Sequence, residues 1–392
     1  MKSEWNTSAI ANICKVVTDG SHTSPKSVSH GKYMVSVKDF TPYGFDFNGC
    51  RQISFADYEK LKSSGCVPQK GDILIGKDGA RYFEDIIIYN QDEAPALLSS
   101  IAILRCDEEK VIPEYLYYLL KTPSFKKDVK DNYGSGSAIP RIILKDFKRM
   151  KVEYPSIEKQ RQIVSILHDL DAKIFNNQKV NDNLEQQAAA LFSSLYNRSN
   201  TEVRYTDLIQ ILGGGTPKTG ETAYWNGNIA FFTPKDVGTP YTFITEKTIT
   251  EEGLSHCNSR LYPVNTVFVT ARGTVGKVGL SGVPMAMNQS CYALVGKETH
   301  QLLVYFYTLK VVDKLKHKAS GAVFDAITTR DFESEQIMKL SDDDARAFLC
   351  VAEPMFQDIL NNSIENLRLS TLRDFLLPKL MSGEIDVSNI QF

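Results

Sequence analysis

Ile174-Phe175-Asn176-Asn177-Gln178-Lys179-Val180-Asn181-Asp182-Asn183-Leu184 returns 185 residues later as Ile359-Leu360-Asn361-Asn362-Ser363-Ile364-Glu365-Asn366-Leu367-Arg368-Leu369. The isoleucine, the three matched asparagines and the leucine keep their places in both copies. Apolar residues recur around the first copy in steps of four and three, at Ile163, Leu167, Leu170 and Ile174, then at Leu184, Ala188, Leu191 and Leu195. Around the second they stand at Phe348, Ala352, Met355 and Ile359, then at Leu369, Leu376 and Leu380. That spacing is the seam of a coiled coil. Asn177, Asn181, Asn362 and Asn366 fill seam positions, where asparagine costs stability but fixes register. Two long helices are therefore expected, packed antiparallel about a pseudo-twofold centre so that matched asparagines meet. On that reading, Asn177→Leu with Asn362→Leu preserves or raises stability and loosens register.

Pro155-Ser156 predicts the start of the first helix, with Ser156 as N-cap and Lys159-Gln160 in the first turn. From about 156 to 196 it would be about 60 Å long at 1.5 Å per residue. In the second helix Pro354 predicts a kink or a restart. Asp342-Asp343-Asp344 would cap a short first piece and Glu353-Pro354 open the main one. Pro378 and Gly383 read as stop signals.

The duplication extends upstream. Gly134-Ser135-Gly136-Ser137-Ala138-Ile139, Ile142 and Asp146-Phe147 match Ala319-Ser320-Gly321-Ala322-Val323-Phe324, Ile327 and Asp331-Phe332 at the same spacing. Asp72 to Ile75 through Gly79 matches Thr266 to Val269 through Gly273 at 194, and Lys38-Asp39 matches Lys235-Asp236 at 197. Collinear matches with a drifting offset are what a duplication with insertions leaves. Each half then has a mixed front and a helical back. Strands are expected at Tyr33–Val37, Asp72–Ile75, Ile86–Tyr89 and Ser100–Leu104, and again at Ile229–Thr233, Thr266–Thr270 and Cys291–Val295. Helices are expected at Pro113–Leu120 and Leu302–Lys318.

Composition bounds the function. The 392 residues carry a net charge of -2, which argues against bulk-charge nucleic-acid binding but leaves local basic surfaces open. The fronts 1–155 and 199–340 are +2 and +1, and the last stretch 341–392 is -5. There is no apolar run of membrane-spanning length and no signal-peptide core at the start. Seven scattered cysteines read as reduced thiols. A cytoplasmic protein is expected.

Three stretches carry a family resemblance. They are Gly213-Gly214-Gly215-Thr216-Pro217-Lys218 with Tyr224-Trp225-Asn226-Gly227-Asn228-Ile229 and Thr233-Pro234-Lys235-Asp236-Val237; Glu158-Lys159-Gln160-Arg161-Gln162-Ile163-Val164 through Leu170-Asp171 and Ile174; and Leu372-Arg373-Asp374 with Leu376-Leu377-Pro378-Lys379-Leu380, Ser382 and Gly383. Together they resemble the specificity subunit of type I restriction-modification systems over essentially the whole chain. Asp19 to Pro25 is a partial counterpart of the first stretch.

The resemblance implies an α+β chain with two mixed α/β target-recognition domains, at 1–155 and 201–340. Two long conserved helices, at 156–200 and 341–392, would separate them as an antiparallel coiled coil. It implies a non-catalytic subunit that reads a bipartite site in double-stranded DNA, one half per domain. Two methyltransferase subunits would dock on it and endonuclease/translocase subunits would join. The chain itself would hold no cofactor; S-adenosylmethionine, ATP and Mg would belong to the partners.

Candidate DNA contacts come from Gly-rich loops and lysine clusters. They are His22, Thr23, Lys26, Lys77, Arg81, Lys126, Lys127 and Lys130 in the first half. Thr216, Lys218, Thr219, Arg272, Lys277, Lys314 and Lys318 are those of the second. Lysines supply phosphate contacts; arginine reads guanine, and asparagine or glutamine reads adenine. For each residue an ordinary solvated position is the alternative. Trp225 reads more naturally as a core anchor than as a stacking platform, and Gly213–Gly215 as either a phosphate nest or a tight turn.

Catalytic motifs are weak. Gly273 to Val278 has the outline of a phosphate loop but carries Ala271 and Val278 where glycine and Ser or Thr are needed. Glu108-Glu109-Lys110 with Asp92 is a thin nuclease pattern. The alternatives to a restriction-modification reader are the DNA reader of another modification system and a coiled-coil assembly scaffold that never touches DNA.

Overall fold

The structure, a computed structural model, describes residues 5–134, 140–318 and 326–387. Apart from Gly134, the matched segments 134–139 and 319–324 lie outside the described residues. Contacts divide the chain into Met1–Lys173 with Arg368–Phe392, and Ile174–Leu367. The division falls inside both long helices rather than at 155, 200 and 340. The reason is burial: each helix segment packs into the core of the unit that holds it.

In the first unit a four-stranded sheet runs in the order Cys14–Asp19, Ile101–Cys106, Ile73–Gly76, Ile86–Ile88. Alternation sends Ile73, Ile75, Ala102 and Leu104 to one face. There they meet Tyr115, Leu116 and Leu119 of helix Pro113–Lys121, and Ile163, Leu167, Leu377 and Leu380 of the long helices. Leu74, Ile101 and Ile103 point the other way, to Val35, Phe45 and Tyr89. Both faces are covered, which is why these strands read as unbroken apolar runs. A second sheet runs Gln52–Ile53, Lys32–Val35, Ala96–Leu97, its last pair parallel. Asn6–Ala9 pairs with Lys151–Tyr154.

The second unit repeats this plan. Its larger sheet runs Ile209–Gly213, Cys291–Gly296, Val267–Thr270, Val278–Ser281, Tyr241–Thr242. Its smaller sheet runs Lys247–Ile249, Trp225–Phe232, Met285–Met287, again with the last pair parallel. Thr201–Arg204 pairs with Gln336–Lys339. Val267 and Val269 face the helical core while Phe268 faces Phe232 and Met285. Helix Gln301–Lys318 fills the place of Pro113–Lys121 and the following helix Pro123–Asn132 together.

The first long helix is Ile157–Arg198 and the second is Asp342–Met381. Within the second unit they run antiparallel. Asn177 donates to Asn366 Oδ1 at 2.9 Å and to Glu365 Oε2 at 2.7 Å. Asn362 donates to Asn181 Oδ1 at 2.9 Å. Each asparagine thus meets the partner of its own equivalent, as a twofold crossing demands. Asn177 and Asn362 are equivalents and not contacts. Replacing those two together would take the donor from both pairs, Asn181 keeping its bond to Ser363 Oγ at 3.3 Å, so the exchange is expected to cost stability.

Pro354 does not break the second helix, nor does the helix restart at Glu353; it is continuous from Asp342. Pro354 lies on the exposed face, so the hydrogen bond it forfeits, at the Cys350 carbonyl, faces water. Phe348, Ala352 and Phe356 anchor the opposite face on both sides of it. Pro378 likewise sits inside the last turns, and the chain leaves the helix at Gly383 with φ +72°.

Candidate nucleic-acid interface

The two units build one loop twice. In the first, Lys77 donates its backbone N–H to Ser100 O at 2.9 Å and accepts from Ile142 N at 3.0 Å, and Asp78 bridges Arg141. In the second, Ala271 donates to Ser290 O at 2.8 Å and accepts from Ile327 N at 2.9 Å, and Arg272 bridges Ala326. Gly79 and Gly273 follow at φ +93° and +81°, a backbone region that side chains resist. Beside each loop lies a matched turn. Ser36 N–H donates to Asp39 Oδ2 at 2.8 Å, and Thr233 N–H to Asp236 Oδ2 at 2.7 Å.

In the second unit this loop borders a cleft of about 530 Å³ lined by Thr233, Lys235, Lys247, Arg272 and Asn288, with Glu246 the one carboxylate. Lys235 lies 3.5 Å from Glu246, and Lys247 sits 5.6 Å above the Trp225 ring. Of the three cations, sequence reasoning singled out Arg272 alone. Lys235 and Lys247 are separate in sequence and converge through strand pairing. Lys235 stood within the matched Lys-Asp turn, which was the signal available.

The other candidates divide by environment. Thr23, Lys26, Lys127, Lys218, Thr219 and Lys277 are exposed. His22 is exposed, with Nε2 3.3 Å from Asp19 Oδ1. Arg81 projects outward and pairs with Asp85 at 2.8 Å. Thr216 donates to the Gln289 side chain. Lys77 turns inward instead: it is 7% exposed, 3.3 Å from Asp19 and 3.7 Å from Asp78. An ammonium so placed neutralises a buried carboxylate and is not presented to a ligand, which corrects its reading as a loop contact.

The lysine clusters are also engaged. Lys126 and Lys130 both donate to Glu84, at 2.8 and 2.6 Å, and those bonds hold its carboxyl below the usual glutamate range. Lys314 donates to Gln336 O at 2.9 Å, and Lys318 to Glu335, which is buried. The two clusters are therefore engaged by different partners, a shared carboxylate in the first unit and a carbonyl with a buried glutamate in the second.

Trp225 is half-buried, edge-on to Phe231, and donates Nε1–H to Lys218 O at 3.1 Å, the part of an anchor. Gly213 ends a strand, and a Cβ on Gly214 would fall 2.1 Å from Asn288 O, so close backbone approach explains the glycine. Gln160, which the sequence placed only in the first helical turn and in the family stretch, is fully buried and ties Ile112 N, Lys110 O and Pro155 O together. Of the thin nuclease pattern, Asp92 pairs with Lys70 and Lys110 with Asp107. Among the described residues no three His, Cys, Asp or Glu side chains are grouped to hold a metal, and no helix is long and apolar enough to cross a membrane.

Comparison with known proteins meets the same duplication. The family model for the type I restriction modification DNA specificity domain matches twice, over residues 2–186 and 197–339. The MjaIX specificity subunit of Methanocaldococcus jannaschii is 25% identical over 310 residues, 72% of this chain and 71% of that one. The HindI specificity subunit of Haemophilus influenzae is 24% identical, over 81% and 87%. Among solved structures, the type I S subunit from M. genitalium shares the fold with a TM-score of 0.59 at 16% identity, covering 96% of each chain. Two family matches laid over two copies of one fold establish that the chain belongs to the type I restriction-modification DNA specificity family.

Proposed function

We infer that this chain is the DNA-reading subunit of a type I restriction-modification complex, each mixed front reading one half of a bipartite site in double-stranded DNA. The single observation that carries this is the loop built twice on the same hydrogen-bond frame with different side chains at its tip. A duplicated scaffold with divergent tips suits two different half-sites at a set spacing. As a specificity subunit the chain is non-catalytic. Methylation and cleavage fall to partners: two methyltransferase subunits docked on it, and endonuclease/translocase subunits that complete the complex. S-adenosylmethionine, ATP and Mg serve those partners, in the cytoplasm.

The test is a genome-wide map of methylated adenines in the host with and without this gene. Loss of one split motif, two short specific halves about a fixed spacer, is the expected result. Identical maps, from a host whose methyltransferase co-purifies with this chain, would overturn the reading.

A further inference from the structure

We propose that Arg272 is the base-reading residue at the loop tip of the second front and that the cations flanking it, Lys235 and Lys247, contact phosphate. The proposal rests on the two fronts being DNA readers.

The duplication allows each position to be compared with its equivalent. Lys235 precedes the aspartate of its turn as Lys38 does in the first unit. Lys247 pairs across strands with Phe231. Phe231 lies two residues before Thr233, as Met34 lies two before Ser36, and Met34 N–H donates to Arg51 O at 3.0 Å. Arg51 is therefore the equivalent of Lys247. Two of the three positions are cationic in both units. The third is the loop tip, held by the same backbone bonds in each, and there the charge reverses from Asp78 to Arg272.

Both fronts face the same polyanion, so the cations they share suit the element of DNA that does not vary. Phosphate contacts position a protein and base contacts specify. The tip, rigid in backbone and divergent in side chain, suits the element that does vary. Arg272 is exposed and has no ion-pair partner among the described residues. Its guanidinium offers only donors, which suits the O6 and N7 acceptors of guanine; Asp78, part-exposed and 3.7 Å from the buried Lys77, is not presented in the same way.

The experiment is methylated-adenine mapping in a host expressing the full chain with its partner subunits. The alleles are wild type, Arg272→Gln, Arg272→Ala, and Lys235→Ala with Lys247→Ala. Arg272→Gln is expected to change the preferred base at one position of one half-site, with discrimination there altered about 10-fold, and to leave the other half as it was. Lys235→Ala with Lys247→Ala is expected to lower methylation at every site and leave the motif unchanged. Binding of the purified complexes to duplexes with single-base changes gives the same reading without turnover.

Unchanged base preference in both Arg272 variants would overturn the assignment. So would uniform weakening at all sites, which would make Arg272 a phosphate contact. A wild-type map with no bipartite motif would instead overturn the reader function, and this assignment with it. A wild-type motif that survives both Arg272 variants sinks the assignment alone.

Discussion

In the first unit Asp171 of the first long helix accepts from Arg373 of the second at 2.7 Å and from the Tyr118 phenol at 2.7 Å. The residues 185 places away, Phe356 and Ala188, occupy the equivalent positions in the second unit. There both are buried in the apolar core, and Phe356 meets the rings of Tyr305 and Phe306 at 5.7 and 5.6 Å. One pair of positions on one scaffold has received an ion pair in one copy and an aromatic cluster in the other. The scaffold therefore demands only that the helices be joined there. Apolar packing gives more stability per group, while a half-buried ion pair offsets most of its own desolvation and specifies geometry. Burial pushes the Tyr118 hydroxyl well above the usual tyrosine range, and the neighbouring Asp171 adds to it, so the phenol remains a donor.

The largest effect expected is from Phe356→Ala, which opens a cavity among large rings and should cost about 3–5 kcal/mol, read as a lower urea midpoint. Arg373→Ala removes the partner of a half-buried carboxylate and should cost about 2 kcal/mol. Carrying the second unit's solution into the first, Asp171→Phe with Arg373→Ala, should recover much of that loss. A double variant as unstable as the two single losses summed would show that the units are not interchangeable there.

The asparagine ladder gives a sharper test of the twofold. Asn177→Leu with Asn362→Leu takes the donor from both pairs and should cost about 2 kcal/mol. Asn181→Leu with Asn362→Leu removes a contacting pair and should stay within about 1 kcal/mol of wild type. Equal melting temperatures for the two would refute the crossed pairing.

The smallest effect concerns Glu185, whose carboxyl burial raises above the usual glutamate range although the Tyr305 hydroxyl donates to it at 3.1 Å. The folded state then binds that proton more tightly than the unfolded chain does. The penalty is present at neutral pH and is relieved as pH falls through the raised value. Glu185→Gln, which keeps an acceptor for Tyr305, should raise the melting temperature slightly at pH 7 and flatten its rise on mild acidification. A variant that melts lower at pH 7 would contradict this.

Much of the fold was legible because periodicity is local. The strand at Val267–Thr270 and the seam through Ile163, Leu167 and Ile174 are marked by their own spacing, and the repeat gave the antiparallel pairing. The lysines were misleading because a lysine carries the same letter whether it faces solvent, as Lys127 does, or is turned in on Asp19, as Lys77 is. The role of Gln160 was unreadable for the same reason, since Ile112 and Lys110 reach it from a distant segment and only Pro155 is local.

By itself the sequence determined the duplication, the two long helices and the family, all carried by spacing along the chain. Tertiary structure alone decided that the second helix continues through Pro354, because the freed carbonyl faces water while Phe348 and Phe356 are held inside. It also decided that Lys235, Lys247 and Arg272 share one cleft. Strand pairing sets that convergence, and pairing acts between residues that lie far apart in sequence.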